Sequence, residues 1–406
     1  MSAHHIRVLD TEAELITAIN VFRTAMVGFG QLTDLPPGQI RTLMEPGRTI
    51  GAFVDGQLVG TTDAQTSTLT LPGGKQLGHA AVTHVGVLPT FTRRGIATDL
   101  MRAQLHQIRD RGEAVATLRA SEATIYERFG YGVASSTATI EVDVRRATLR
   151  PGVGRGGGVR LTDVGTSWAL LPQIYTNNRP TRPGSIDRPE VWWHTRKLKA
   201  EAAPAPSYVA VHGDPGSETG FVRYHAVDTD SWFVSNQRTI VVDDLFAPSP
   251  EAYLALVRYL LELDLIDRVV FATLPVDDPL PELLTDRRAA RITGVRDETW
   301  LRIVDVAATL DARTYSGDDA VTLRVDDPVL PENSGTYLIS PDGATVTDRP
   351  AQLTAGVEAL GAALLGGTPW RSLVLAGSVH ADSVDAADAV DRLFAVPTAP
   401  HAGIVF

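Results

Sequence analysis

Between Gly78 and Ile108 the pattern of the chain changes from strand to helix across a short basic loop. Gly78 to Val87 is rich in small and β-branched residues, the composition of a strand. From Ile96 onward the apolar positions are Ile96, Leu100, Met101, Leu105 and Ile108, near one helical face, with Asp99, Arg102, Gln104 and Gln107 interleaved. A strand that runs through a loop into an amphipathic helix requires a layered α+β or mixed α/β fold. The junction is also a place for an anion. The first N–H groups of a helix have no intrahelical partner and carry partial positive charge. Gly95 and Ala97 keep side chains out of the way, and Arg93 and Arg94 add charge. Val85-Gly86-Val87 can offer backbone groups to a ligand's amides if the strand is an edge or is splayed. No Gly-Lys-Ser/Thr follows, which disfavours a nucleotide P-loop, and a GxGxxG fingerprint is missing here.

The rest of the chain surrounds this junction with similar pieces. A length of 406 residues exceeds one compact core and predicts two or three domains. Glu12 to Arg23 reads as a helix, followed by the Pro/Gly-bearing loop Gly28 to Gly38. Thr49 to Val54, Asp55-Gly56 and Gln57 to Gly60 form a hairpin pattern. Further strands are expected at Thr66 to Leu71, Ala114 to Leu118 and Thr137 to Val144, with a short helix over Thr124 to Phe129. Gly152 to Gly158 looks like a linker. Beyond it come a hairpin around Asp214-Pro215-Gly216, a strand Arg238 to Val242, a helix Pro250 to Leu263 and a strand Arg268 to Leu274. That order resembles the first segment, as a diverged duplication would. The last segment reads as strand Thr299 to Val304, helix Val306 to Ala312, strands Ala320 to Val325 and Thr336 to Ile339, and helices Ala351 to Leu364 and Ala386 to Leu393.

Composition excludes several classes of function. The chain has no cysteine, so disulfides, zinc–thiolate sites and thiol nucleophiles are out. A net charge of −11 argues against a general binder of nucleic acid or anionic membrane. The start, Met1 to Arg7, lacks the apolar core of a signal peptide. The most apolar stretch, Tyr253 to Ile266, carries Arg258, Glu262 and Asp264 and is too short to span a membrane. A cytoplasmic protein is expected. The histidines show no metal-ligand spacing, so no metal is expected. Trp192 and Trp193 read as packing residues rather than a platform for stacking bases.

The string from Val85-Gly86-Val87 to Arg93-Arg94-Gly95-Ile96-Ala97 resembles the acetyl-CoA motif of the GNAT superfamily of N-acetyltransferases. More narrowly, the chain resembles the Eis (enhanced intracellular survival) family of actinobacterial acetyltransferases. Ser121 to Tyr131, Arg182 to Arg188 followed by Trp192-Trp193, and Asp327-Pro328 with Pro331-Glu332-Asn333 carry that narrower likeness. The resemblance implies an N-terminal GNAT domain over 1–152, a second GNAT-like domain over 159–298, and a sterol-carrier-protein-like domain over 299–406. It implies a homohexamer. It also implies that Val85, Gly86, Val87, Arg93, Arg94, Gly95, Ile96, Ala97, Thr98, Ser121 and Glu122 contact acetyl-CoA. Tyr126 would protonate the leaving thiolate, and the C-terminal carboxylate on Phe406 would accept the amine proton.

These roles suit acyl transfer to an amine, which needs a neutral amine and a protonated leaving thiol. The implied acceptor is a primary amine of aminoglycoside, polyamine or lysine type. From the residues alone, Tyr126 reads first as a packing residue, and a chain end such as Phe406 is usually frayed. The apolar run Ala402 to Phe406 favours docking. Thr92 stands where the superfamily usually has Arg or Gln, which weakens one pyrophosphate contact. His84 should face away from Val85, either as an alternative base or as a lining residue. Val405 replaces an acid found in family members that bind polyamines. A competing reading makes the C-terminal third a lipid-binding module beside a vestigial acetyltransferase site.

Overall fold

The computed structural model describes residues 4–33 and 35–406. Met1, Ser2 and Ala3, part of the expected leader-free start, and Asp34 of the Gly28 to Gly38 loop lie outside the described residues. The chain forms two compact units. One gathers Met1–Ser135, Arg182–His194 and Glu298–Phe406; the other holds Ser136–Thr181 and Thr195–Asp297.

The first unit opens with β1 (His5–Val8) and α1 (Glu12–Ala25). Thr11 and Glu14 cap α1 reciprocally, and its apolar stripe buries Leu15, Ala18, Ile19 and Val21. Each large apolar side chain buried in this way stabilises by ~1.5–3 kcal/mol. Next come β2 (Ile50–Val54), β3 (Gln57–Thr70), β4 (Gln76–Val87), α2 (Ile96–Asp110), β5 (Val115–Leu118), α3 (Ala123–Tyr126) and the start of β6 (Tyr131–Asp143). Strands β1 to β4 pair antiparallel in sequence order. The expected separate strands Gln57 to Gly60 and Thr66 to Leu71 are one strand, β3. The intervening Thr61, Thr62 and Asp63 are polar but fully buried in the strand; Thr49 and His84 satisfy the Asp63 carboxylate. Gln104, one of the polar residues between the apolar positions of α2, is buried as well. Its Nε2 donates to the Asp63 carbonyl at 2.9 Å, beside a register shift in the β3–β4 ladder.

The second unit holds most of β6, then β7 (Val159–Thr162), α4 (Val164–Asn177) and most of α5 (Glu190–Glu201). It continues with β8 (Ser207–His212), β9 (Gly220–Val227), β10 (Thr239–Phe246), α6 (Pro250–Leu261), β11 (Arg268–Pro275), α7 (Leu280–Leu283) and the first half of β12 (Ala290–Ile303). Its strands run β6–β11–β10–β9–β8–β7, with β10 and β11 parallel. The hairpin at Asp214-Pro215-Gly216 is the β8–β9 connection. Helices α4 and α5 have no counterpart in the sequence reading. Pro172 lies inside α4 and blurs its periodicity.

The C-terminal part belongs to the first unit. The end of β12 pairs with β5 from Trp300↔Leu118 to Ile303↔Val115. After α8 (Val306–Ala312) comes a sheet of β13 (Val321–Asp326), β14 (Gly335–Ser340), β15 (Gly343–Val346), β16 (Leu353–Gly356) and, after α9 (Val357–Ala363) and α10 (Trp370–Leu375), β17 (Val379–Ala381). The final helix is α11 (Val384–Phe394). The helix expected from Ala351 to Leu364 is strand first and helix second. Leu353–Gly356 pairs in parallel with β13, and α9 begins only after Gly356. Short apolar runs do not distinguish the two states by periodicity, and here the open edge of β13 decides. No helix among the described residues is long and apolar enough to cross a membrane.

Candidate active site

The strand–loop–helix junction has the geometry that an amide-bearing anionic ligand needs. Strands β4 and β5 pair in parallel only from His79↔Val115 to Ala81↔Thr117, and β4 then runs on to Val87. One edge of its last residues therefore faces away from the β5 ladder, as a splayed strand does. A buried cross-link ties the strands together over this short ladder. His79 of β4 meets Ser67 of β3 through Nδ1 at 2.9 Å and Thr117 of β5 through Nε2 at 2.7 Å. Burial, then the charge of Arg48, pushes the His79 pKa down to about 3, so the imidazole is neutral at ordinary pH.

Helix α2 starts at Ile96 behind Gly95, which sits at φ +85°, and no side chain caps its N-terminus. A residue with a Cβ is strained in that conformation. Arg93 also adopts a left-handed conformation, φ +61°. Arg94 lies over the Phe91 ring at 4.9 Å and donates to the Thr90 carbonyl. Arg93 and Arg94 are exposed, whereas the Ile96 side chain is buried in a cluster with Leu100 and Val59, against which Val87 packs. Ile96 can thus meet a ligand only through its backbone. Gly86 also has a packing role: a Cβ there would lie 3.0–3.1 Å from Ala25 and Phe22 of α1. Thr92 donates its hydroxyl to the Pro89 carbonyl.

Val85 packs against the cluster that holds Met101, Tyr126, Phe129 and Tyr131. This brings one of the expected strand residues and the expected proton donor together. Tyr126 is buried, with its ring edge-on to Tyr131 at 6.1 Å. Burial raises its pKa above the usual phenol value; a hydrogen bond with the Ser121 side chain pulls it partly back, and the Glu122 charge adds to the rise. Ser121 and Glu122 themselves are exposed. His84 and Val85 serve opposite sides of β4, because the His84 ring stands edge-on to Phe22 of α1 at 5.0 Å.

The C-terminus is docked, not frayed. Residues 182–188 extend the edge of β3, with Asp187 N–H donating to the Thr68 carbonyl and Thr70 N–H to the Ser185 carbonyl. The tail lies on that segment, with Ile186 N–H donating to the Ala402 carbonyl and His401 N–H to the Pro183 carbonyl. Its last carbonyls each have a donor: Gly403 from Arg188 at 2.7 Å, Ile404 from Arg119 at 2.7 Å and Val405 from Trp192 Nε1 at 2.8 Å. Glu298 anchors the tail from below. It accepts from the Ala402 N–H at 3.0 Å, faces His401 Nδ1 at 3.0 Å and pairs with Arg119 at 3.3 Å. Burial pushes the Glu298 pKa up, but His401, Arg119 and the Ala402 N–H together hold it below the usual carboxylate value. Arg119 stands on the β5–α3 loop that carries Ser121 and Glu122, so the tail and Tyr126 are fixed to one short segment. Phe406 is half-buried and, among the described residues, makes no hydrogen bond or ion pair of its own.

The sequence reading missed Arg119, Glu298, His401 and His79. Only partners distant in the chain give these residues a role, so nothing local marks them. Trp192 and Trp193 are buried and edge-on to each other, as packing residues, and Trp192 also holds the tail. The Asp327 to Asn333 stretch, which carries part of the family likeness, forms a buried clamp on Arg302. His4, in a stretch read as an exposed end, pairs with Asp99 of α2 at 2.8 Å. No cluster among the described residues could hold a metal ion.

Comparisons with known proteins give the family and the domain build. Residues 6–134 and 184–303 each match an acetyltransferase (GNAT) domain model, and residues 306–403 match a sterol carrier protein domain model. The chain is 35% identical over 360 residues to the N-acetyltransferase Eis of Mycobacterium tuberculosis, covering 85% of each. It belongs to the Eis family of N-acetyltransferases. Its structure superposes on that of Eis1 from Mycobacterium abscessus with a TM-score of 0.91, at 47% identity and 100% coverage of both chains. An uncharacterized N-acetyltransferase of Streptomyces avermitilis is 34% identical over 392 residues, 94% of each chain. The expected build is therefore correct: two GNAT domains followed by a sterol-carrier-type domain in a mixed α/β chain. As an Eis-family member the protein is an N-acetyltransferase.

Proposed function

We propose that this Eis-family enzyme transfers the acetyl group of acetyl-CoA to a primary amine of polyamine, aminoglycoside or lysine type. The observation that carries the reading is the splayed end of β4, which lies beside an uncapped helix start and a buried tyrosine. The pyrophosphate would meet the N–H groups of Ile96, Ala97 and Thr98, with Arg93 and Arg94 adding charge and Gly95 giving access. The pantetheine amides would pair along Val85, Gly86 and Val87, and Ser121 and Glu122 would flank the thiol end. Tyr126 would give its proton to the leaving sulfur, and the Phe406 carboxylate would accept one from the amine. A raised phenol pKa supports the donor role, because the group stays protonated at neutral pH. The docked tail supports the acceptor role, because it fixes where the carboxylate ends. The domain limits 1–152, 159–298 and 299–406, the homohexamer and the cytoplasmic location belong to the same proposal.

The test is thiol release from acetyl-CoA by enzyme with an untagged C-terminus, against a panel of lysine, spermidine and kanamycin. Turnover that needs both acetyl-CoA and one of these amines is the expected outcome. No amine-dependent thiol release from folded enzyme would overturn the reading.

A further inference from the structure

The acetyl-transfer reading leaves one proton without an acceptor. An alkyl amine arrives at neutral pH as R–NH3⁺, since its pKa is ~10.4. The amide product R–NH–CO–CH3 keeps one hydrogen on nitrogen, so two protons must leave. One must go before the lone pair can attack, and the other after the N–C bond forms and the C–S bond breaks. The Phe406 carboxylate accounts for a single acceptor.

A histidine held by a buried carboxylate stands at the bulge in β4. The β3–β4 ladder runs Gly60↔Val87 and Thr61↔Gly86, then resumes at Asp63↔Thr83, so β4 carries an extra residue across the shift. His84 lies in it at φ +50°, a conformation that a side chain bearing a Cβ rarely adopts. Bulges of this kind re-aim a side chain, and strain persists only where the surroundings enforce it. Here they do. Asp63, with no exposed surface, places Oδ2 3.2 Å from His84 Nδ1, and its other oxygen accepts from Thr49 Oγ1 at 3.0 Å. The carboxylate holds hydrogen on Nδ1, so Nε2 is the position at which the ring can take up or release a proton. The His84 side chain is 19% exposed. The elements packed on the ring bring Asp63 from β3 and the uncharged Phe22 from α1. His84 directly precedes Val85, the first of the residues assigned to the pantetheine arm.

We propose that the Asp63–His84 pair is a second catalytic base, resting on the acetyl-transfer reading. His84 Nε2 takes one proton from the ammonium, and the neutral amine attacks the thioester carbon. The second proton passes to the Phe406 carboxylate as the N–C bond forms. The leaving sulfur takes its proton from Tyr126, and the enzyme returns to its starting state by releasing one net proton to solvent. His84 is the catalytic residue here; Asp63 is a positioning residue.

The test compares His84→Gln with wild type on whichever panel amine the wild type acetylates fastest, from pH 7 to pH 10. At neutral pH the variant should lose about 10²-fold in kcat. The KM for acetyl-CoA should be unchanged, and the loss should shrink toward about ten-fold or less as the amine arrives neutral. Asp63→Asn should follow the same pH trend with a smaller loss. A His84→Gln enzyme with wild-type rate and pH slope overturns the pair while leaving acetyl transfer intact. A wild type that acetylates no amine overturns both. If neither variant folds, the imidazole of His84 in the wild type is followed by NMR. Its titration should coincide with the acid limb of kcat, and an acid limb at another pH overturns the pair.

Discussion

At the scale of single residues, burial decides what the ionisable groups can do. Tyr126 could be read from the sequence as a helix tyrosine with or without chemistry. Its burial and raised pKa make it a protonated phenol at neutral pH. Tyr126→Phe keeps the ring packing and removes the proton, so thiol release should fall by ~10²–10⁴-fold with the melting temperature nearly unchanged. In the wild type, deprotonation of Tyr126 should cause no loss of kcat below its ordinary value of pH 10.0. His79 works the other way. Its folded pKa of about 3 lies below the free value of 6.5, so the unfolded chain binds a proton that the folded chain refuses. The stability it contributes is complete above pH 6.5 and is lost as pH falls toward about 3, ~5 kcal/mol at most. Thermal melts of wild type and His79→Gln should therefore converge as the pH is lowered through this window. Parallel curves would place the acid sensitivity elsewhere.

At the scale of elements, the helix start and the tail show different degrees of legibility. The β4–loop–α2 passage was readable because a period change and a glycine in a basic loop are local signals. Of the polar positions of α2 that the pattern left outside, Gln104 is buried because a carbonyl beside the β3–β4 register shift needs a donor. The tail was readable only as apolar. Its path depends on Arg119, Arg188, Trp192 and Glu298, none of them near it in sequence. Glu298→Gln removes the charge facing His401 and Arg119, and bonds to charged groups contribute ~1.5–3 kcal/mol each. Carboxypeptidase should then trim Phe406 roughly ten-fold faster or more, at neutral pH. Acid should do the same to wild type. The folded pKa of Glu298 is depressed, so its contribution is present above the usual 4.5 and lost as pH falls through the lower folded value. Enzyme trimmed of Phe406 should keep its fold and lose turnover.

At the scale of the molecule, the segment after β12 is tied back to that strand, which pairs with β5, by a buried charge pair. Arg302 of β12 and Asp327 have no exposed side-chain surface and meet at 2.7–2.8 Å, with Asn333 bridging Asp327 to the Val304 carbonyl. Removing one partner leaves a buried charge alone. Asp327→Ala should therefore cost ~3–5 kcal/mol in denaturant unfolding, and a change below ~1 kcal/mol would show the pair to be solvated. Periodicity and turn signals by themselves determined the mix of strands and helices, the strand–loop–helix junction and the helices α1, α2, α6, α8 and α11, because hydrophobic stripes and turn residues are written within a few residues of where they act. They did not determine that β3 is one strand, that Leu353–Gly356 is a strand, or that the buried Asp63 holds His84 at a bulge. The tertiary structure decided these, because a buried carboxylate, an open sheet edge and a bulge draw their partners from distant parts of the chain. The same holds at the junction with which the sequence reading began. Its residues mark a place for an anionic ligand, but the cross-link through His79, the splay of β4 and the docked C-terminus arise only once the sheet has formed.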